Sequence, residues 1–306
     1  MRRRTAFTLI ELMVVIGIIG VLISILLPVL SRVRKQGEAV QCSANLRGMV
    51  QAATMYANAH RVYPPGRLEK LVVGAPQYGL DNGDDQYRPR WYELLGSQVR
   101  QFASATPKAT EDDAWTIANP WFLCPTVPEW NNSRNYPYGY NHQFLGNARP
   151  KDGWDSGSRD WINYPVPASR IRAAAETVMI ADSLGTAVTK GRGQRQGYYA
   201  DGTKDQDAVC NKGYLLDAPR LTPDSDRADV QLPLNYRSGP DARHMGKVNV
   251  AFCDGHVAPL TIAEMGYALN RDGSIPLNGA GDAGGPPASN RLFSGTAQDL
   301  DPPPAR

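Results

Sequence analysis

From Leu12 to Leu30 no residue is charged, and apart from Gly17, Gly20, Ser24 and Pro28 every position carries a large apolar side chain. At about 1.5 Å per residue this run makes roughly 28 Å of helix, close to the hydrocarbon thickness of a bilayer. It predicts a membrane-spanning helix over residues 7–30. Beyond it the pattern becomes amphipathic. Val33, Val40, Ala44, Leu46, Val50, Ala53 and Ala57 recur at threes and fours, while Gln36, Glu38, Gln41, Asn45, Arg47 and Gln51 fill the other faces. That spacing gives one apolar stripe and predicts a helical stem over residues 31–60. Tyr63-Pro64-Pro65-Gly66 ends it, because a residue before proline is driven out of helical geometry.

Further on the periods shorten. Arg90–Leu95 predicts a short helix, Trp121–Pro125 a buried strand stopped by proline, and Asn135–Asn141 a turn leading into an aromatic strand. Thr177–Asp182 predicts another strand. Val248, Val250 and Phe252 alternate with Asn249, Ala251 and Cys253, which predicts a half-buried strand. Asp254-Gly255 then predicts a two-residue hairpin turn, with Val257 starting the return strand. The charged stretch Asp201–Asp229 predicts a long excursion. Together residues 61–270 make one β-rich globular domain. Residues 271–306 are rich in Gly and Pro with few anchors beyond Leu292 and Phe293, and are expected to be mostly disordered.

Composition adds limits. The chain has 306 residues and a net charge of +3, with basic residues scattered beyond Arg2, Arg3 and Arg4. No basic stripe marks a nucleic-acid partner. The Gly and Pro counts, 29 and 24, favour strands joined by long loops. By the positive-inside rule the three arginines belong in the cytoplasm and everything after Leu30 outside. The apolar run is too long for an ordinary secretory signal, and no small-x-small cleavage site follows it. Glu11, at its mouth, is expected to be functional, since a carboxylate within a span costs about 2.5 kcal/mol or more.

Candidate chemistry is thin. His244, Asp254 and His256 contain the donor types of a zinc site, but strand neighbours point to opposite faces. The preferred reading is a turn aspartate and two ordinary histidines. Asp81-Asn82-Gly83-Asp84-Asp85 lacks calcium-loop spacing and reads as a solvated turn. The Tyr and Trp residues suit a carbohydrate platform or simple packing, and packing is preferred. No nucleophile elbow, phosphate loop or His-Glu-x-x-His pattern occurs in the chain. The expectation is no enzyme, no cofactor and no metal. Cys42, Cys124, Cys210 and Cys253 allow three full pairings, of which Cys42 with Cys124 would staple stem to domain; buried free thiols fit equally.

Ala6-Phe7-Thr8-Leu9-Ile10-Glu11-Leu12 resembles the cleavage and methylation site of type IV prepilins and type II secretion pseudopilins. The resemblance implies cleavage between Ala6 and Phe7 by prepilin peptidase, methylation of the Phe7 amine, and removal of residues 1–6. Glu11 falls on that family's acidic position, where it would meet the cationic N-terminus of a neighbouring subunit, and Pro28 on a helix-bending position. Ala6 departs from the usual Gly. A second resemblance covers the far end. His244, nine intervening residues and Asp254-Gly255 look like the His-X9-Asp-Gly signature of prepilin-like proteins with a long extracellular domain. Cys42-Ser43-Ala44-Asn45-Leu46, Tyr63-Pro64-Pro65-Gly66 and Phe122-Leu123-Cys124-Pro125 match further landmarks of that group. The implied fold is α+β and pilin-like: a long N-terminal helix, transmembrane in its lower half, packed on a mixed or antiparallel β-sheet with long loops. The implied role is a non-enzymatic fibre subunit in the inner membrane, its domain periplasmic or at the cell surface, with other pilin-like subunits as partners. The alternatives are a membrane-tethered module that binds carbohydrate or protein without polymerising, and a tethered metallohydrolase.

Overall fold

The structure, a computed structural model, describes residues 9–68, 89–103, 115–150, 161–201, 205–228, 236–276 and 279–303. Ala6, Phe7 and the Asp81–Asp85 turn lie outside the described residues.

A single helix, α1 (Leu9–His60, 52 residues), carries both the apolar run and the stem, with Pro28 inside it. Among the described residues nothing covers its lower part: the large apolar side chains from Leu9 to Leu30 are all exposed. From Cys42 upward one face disappears into the domain, burying Asn45, Leu46, Met49, Val50, Ala53 and Ala57. Val33, Val40 and Ala44, expected on this stripe, stay exposed. The domain begins to cover the helix only at Cys42, and there on the face of Cys42, Asn45 and Met49, which Ala44 does not share; periodicity alone could not show either. Arg61, with φ of 63°, breaks the helical path just before the prolines.

The rest is α+β and antiparallel. After α2 (Trp91–Val99) come β1 (Tyr138–Tyr140), the single turn α3 (His142–Leu145), and the β2 (Gly146–Pro150) and β3 (Trp161–Pro165) ribbon. The main sheet adds β4 (Val178–Gly185), β5 (Gly239–Pro240), β6 (Val248–Phe252) and β7 (Val257–Leu260), in the order β1-β4-β6-β7 with β5 pairing β4. Every pairing in it is antiparallel.

The sheet is covered on both sides. On β6, Val248, Val250 and Phe252 face one apolar cluster with Leu184, Met265 and Phe293. Ala251 and Cys253 face a second cluster with Leu46, Met49 and Trp91, and Asn249 on that side donates to the Ala39 carbonyl of α1 at 3.2 Å. The alternation in β6 thus separates two buried faces, where a half-buried strand was expected. Its polar member faces a helix backbone instead of water.

Three other expectations change. Pro120–Phe122 is a 3₁₀ turn, not a strand, begun by Asn119, whose side chain accepts from the Trp121 amide. The β6–β7 connection has three residues, not two: Phe252 N–H donates to His256 O, Gly255 N–H donates to Phe252 O, and Gly255 takes a φ of 98°. That is a turn closed by a glycine bulge. Finally, the described part of 271–303 packs on the domain. Phe293 is fully buried, Leu292 O accepts from Val178 N–H, and Gly295 O accepts from Arg172 and Ala173. Asn290 and Arg220 knit the segment further: Asn290 accepts from the Arg220 amide and donates to Arg220 O and Leu300 O, and Arg220 pairs with Asp299 and Asp301. Composition suggested disorder because these anchors are polar side chains with specific partners, which contribute nothing to a hydrophobicity count.

The aromatic residues of β1 and α2 pack inside the domain. Tyr136, Tyr138 and Tyr140 are fully buried, and Trp91 stacks on Tyr140 with ring centroids 5.5 Å apart. Arg90 is buried between the rings of Trp115 and Tyr214. These tyrosines are not available as a surface platform.

Phe293→Ala tests the packing of the C-terminal segment. Removing a fully buried phenylalanine costs about 3–5 kcal/mol, so the denaturant midpoint of the full chain should fall by that equivalent. A change under about 0.5 kcal/mol, typical of a surface site, would mean the segment is not part of the core.

Candidate functional site

Three of the landmark segments converge beneath α1. Cys42 lies on the buried face of the stem, one helical turn below Asn45. The Asn45 side chain donates to the carbonyls of Pro120 (3.3 Å) and Leu123 (2.9 Å). This clips the loop after the 3₁₀ turn against the helix and brings Cys124 to Cys42. Tyr136 holds the same loop from the other side through Phe122 O at 2.7 Å. His244 arrives from the C-terminal half. It and Lys247 exchange both backbone hydrogen bonds across Met245 (φ 53°) and Gly246 (φ 83°), a two-residue turn of the type that leads directly into a strand. Asp182 comes from the middle of β4.

The four side chains meet in the interior. Cys42, Cys124 and Asp182 have no exposed surface and His244 has 4%. Their Sγ, Sγ, carboxylate and ring-nitrogen atoms all lie within 4.8 Å of one another. Cys42 Sγ is 3.4 Å from Asp182 Oδ1 and 3.4 Å from the Tyr138 hydroxyl. Cys124 Sγ is 3.6 Å from His244 Nε2, which is 3.3 Å from Asp182 Oδ2. Asn249 N–H donates to Asp182 Oδ2 at 2.7 Å. Thr126 Oγ1 lies 3.4 Å from His244 Nδ1, so Nε2 is the nitrogen turned to the cluster. Arg243 stands beside it, its Nε 3.1 Å from Asp241 and 4.0 Å from Asp182.

Electrostatics follow from this enclosure. Hydrogen bonding with Cys42 draws the Cys124 thiol down to about 5, against burial and with help from His244 and the Arg243 guanidinium. Burial pushes Cys42 up, as do its contacts with Cys124 and Asp182. Burial alone would lower His244, but its hydrogen bonds with Asp182 and Cys124 outweigh that and raise it to about 9.

The arrangement is not a Cys-His-Asp relay. Such a relay needs the carboxylate on one ring nitrogen and the sulfur on the other. Here Asp182 and Cys124 both face Nε2, while Nδ1 faces a threonine.

The sequence-predicted residues divide. His244 is in the cluster. Asp254 and His256 are at the exposed β6–β7 turn, where Asp254 Oδ1 meets His256 Nδ1 at 2.6 Å, so His244, Asp254 and His256 do not come together. Gly255 serves the turn. Cys42 and Cys124 approach as the staple reading anticipated, yet as free thiols; all four cysteines are buried and unbridged. Asp182 was not singled out. The signal that pointed to it was a charged residue closing a run of apolar strand positions, Thr177-Val178-Met179-Ile180-Ala181.

The long helix, exposed and apolar below and locked into an antiparallel sheet above, together with a match of residues 1–27 to the prokaryotic N-terminal methylation motif, makes this a type IV pilin-like protein. Residues 33–263 match the family described as "Protein of unknown function (DUF1559)", and the chain belongs to that family. No curated protein and no solved structure shows a significant match.

Asp182→Asn keeps the shape of the side chain but removes the charge that Arg243, His244 and the Asn249 amide share. Losing one partner of a buried ionic group costs about 3–5 kcal/mol. Urea unfolding of the full chain should show a drop of that size. A drop under about 0.5 kcal/mol would mean the cluster does not organise the domain.

Proposed function

We propose that this chain is a non-enzymatic structural subunit. It is cut by prepilin peptidase between Ala6 and Phe7, methylated at Phe7, and assembled with other pilin-like subunits into a pseudopilus or pilus-like fibre of a type II secretion or related system. The observation that carries this reading is the division of α1. Its methylation motif leads into an apolar lower half that no other described residue covers, while one face of its upper half is buried in the domain. A subunit so built can leave the bilayer only by giving its lower half other apolar surface, and the lower halves of its neighbours supply that.

Before assembly the lower half spans the inner membrane, with Arg2, Arg3 and Arg4 inside and the domain outside, periplasmic or at the surface. As subunits pack, the Glu11 carboxylate meets the methylated amine of Phe7 on a neighbour. In a low-dielectric environment such a pairing is far stronger than in water and fixes the axial register. Pro28 removes one backbone hydrogen bond and allows a bend above that contact. His244 with Asp254-Gly255 fits the His-X9-Asp-Gly signature, its histidine serving the interior and its Asp-Gly the hairpin turn.

The test is the intact mass and N-terminal sequence of the protein from native membranes, with fibre yield for Glu11→Ala. The reading expects a chain starting at methylated Phe7 and loss of fibres in the variant. A chain starting at Met1 whose surface display is unchanged by Glu11→Ala would overturn it, in favour of a tethered module binding carbohydrate or protein.

A further inference from the structure

We propose that Cys42, Cys124, Asp182 and His244 form a four-coordinate structural site for a divalent transition metal, zinc first, that fastens the stem helix to the sheet. Metal–sulfur bonds of about 2.3 Å and metal–nitrogen or metal–oxygen bonds of about 2.0–2.2 Å place tetrahedral ligands roughly 3.3–3.8 Å apart. Cys42 Sγ lies 3.4 Å from Asp182 Oδ1 and Cys124 Sγ 3.6 Å from His244 Nε2, and one ligand atom from each of the four residues lies within 4.8 Å of the others. The two shorter separations match edges of such a tetrahedron, and the wider bound is within about 1 Å of closing around an ion, with side chains drawn from four separate parts of the chain.

The donor set selects the metal. Two sulfurs and an imidazole suit zinc and similar borderline ions, whereas calcium and magnesium require oxygen. Four protein ligands leave no position open, so the site is structural and not catalytic. Outer contacts support it. Thr126 meets the other ring nitrogen of His244 and the Asn249 amide holds the second oxygen of Asp182, the pattern by which metal ligands are oriented. Two thiolates and a carboxylate around a divalent ion leave one negative charge, and the buried Arg243 guanidinium stands beside it.

A disulfide between Cys42 and Cys124 competes with this arrangement. It would account for the two sulfurs but not for Asp182 Oδ1 and His244 Nε2 standing 3.4 and 3.6 Å from them, since a disulfide offers neither a thiol donor nor a charge.

The experiment uses the full chain in detergent. Its metal content is measured after exposure to zinc alone and dialysis, and its absorption after exchange with cobalt. About one zinc per chain is expected, with thiolate-to-cobalt charge transfer and the intense visible bands of tetrahedral cobalt. Cys42→Ser and Cys124→Ser should each lose the charge-transfer intensity and the tight metal. Cys210→Ser and Cys253→Ser, at buried cysteines elsewhere, should keep both. Should the first pair fail to fold, Thr126→Val retains all four ligands and should weaken zinc by about 10-fold through the freed imidazole. Wild-type protein that stays well below one zinc per chain, a mass lighter by two hydrogens with Cys42 linked to Cys124, or cobalt bands that survive both cysteine variants would each overturn the proposal.

Discussion

A carboxylate with no exposed surface needs donors or neighbouring positive charge to offset its lost hydration. Asp182 finds them on two segments far from it in sequence: the Asn249 amide, His244 and Arg243 on the adjacent strand and the turn before it, and the Cys42 thiol on the stem. These contacts fix both the stem and β6 against β4, and His244 carries the Cys124 loop with them. The stem helix, the Cys124 loop and the C-terminal hairpin could each shift by a residue and still bury apolar surface. They could not shift and still satisfy Asp182 and the His244 ring that Cys124 meets. The apolar clusters on the two faces of the sheet supply most of the driving force, and the polar cluster selects the register in which that burial occurs.

Much of the architecture was legible in the sequence because it rests on local pattern. The charge-free run to Leu30, the end of the helix before Tyr63-Pro64-Pro65, and the strands at Tyr138, Val178 and Val248 follow from spacing and turn chemistry. Where the sequence misled, the cause was tertiary. Asn249 reads as a solvent-facing strand residue until a helix carbonyl is found above it. The segment around Phe293 reads as disordered until Asn290 and Arg220 are found to hold it. Trp121–Cys124 looks like a strand but turns as 3₁₀ because Asn119 and Pro120 begin a tight turn.

The candidate site was legible only in fragments. Cys42, Cys124 and His244 each sat in a segment marked by resemblance, yet no spacing rule joins positions 82 and 120 residues apart. Asp182 carried no motif. Pairing His244 with Asp254 and His256 was natural along the chain, but the hairpin sends those two to the exposed turn. What unites the true set is the stacking of α1 over β4 and β6, which no local pattern encodes.

The resulting molecule has two regimes along one helix. Below, α1 presents bare apolar surface and depends on membrane or neighbours; above, its side chains belong to the domain core. The two regimes are joined without a break in the helix, and Cys42, Asn45 and Leu46 are the first stem side chains buried in the domain. Native-state hydrogen exchange on the full chain tests this coupling most directly. The account predicts that amides from Leu46 to Ala57 exchange only with the same global opening that exposes Ile180 and Val250. Stem amides exchanging orders of magnitude faster than a still-protected sheet would contradict it.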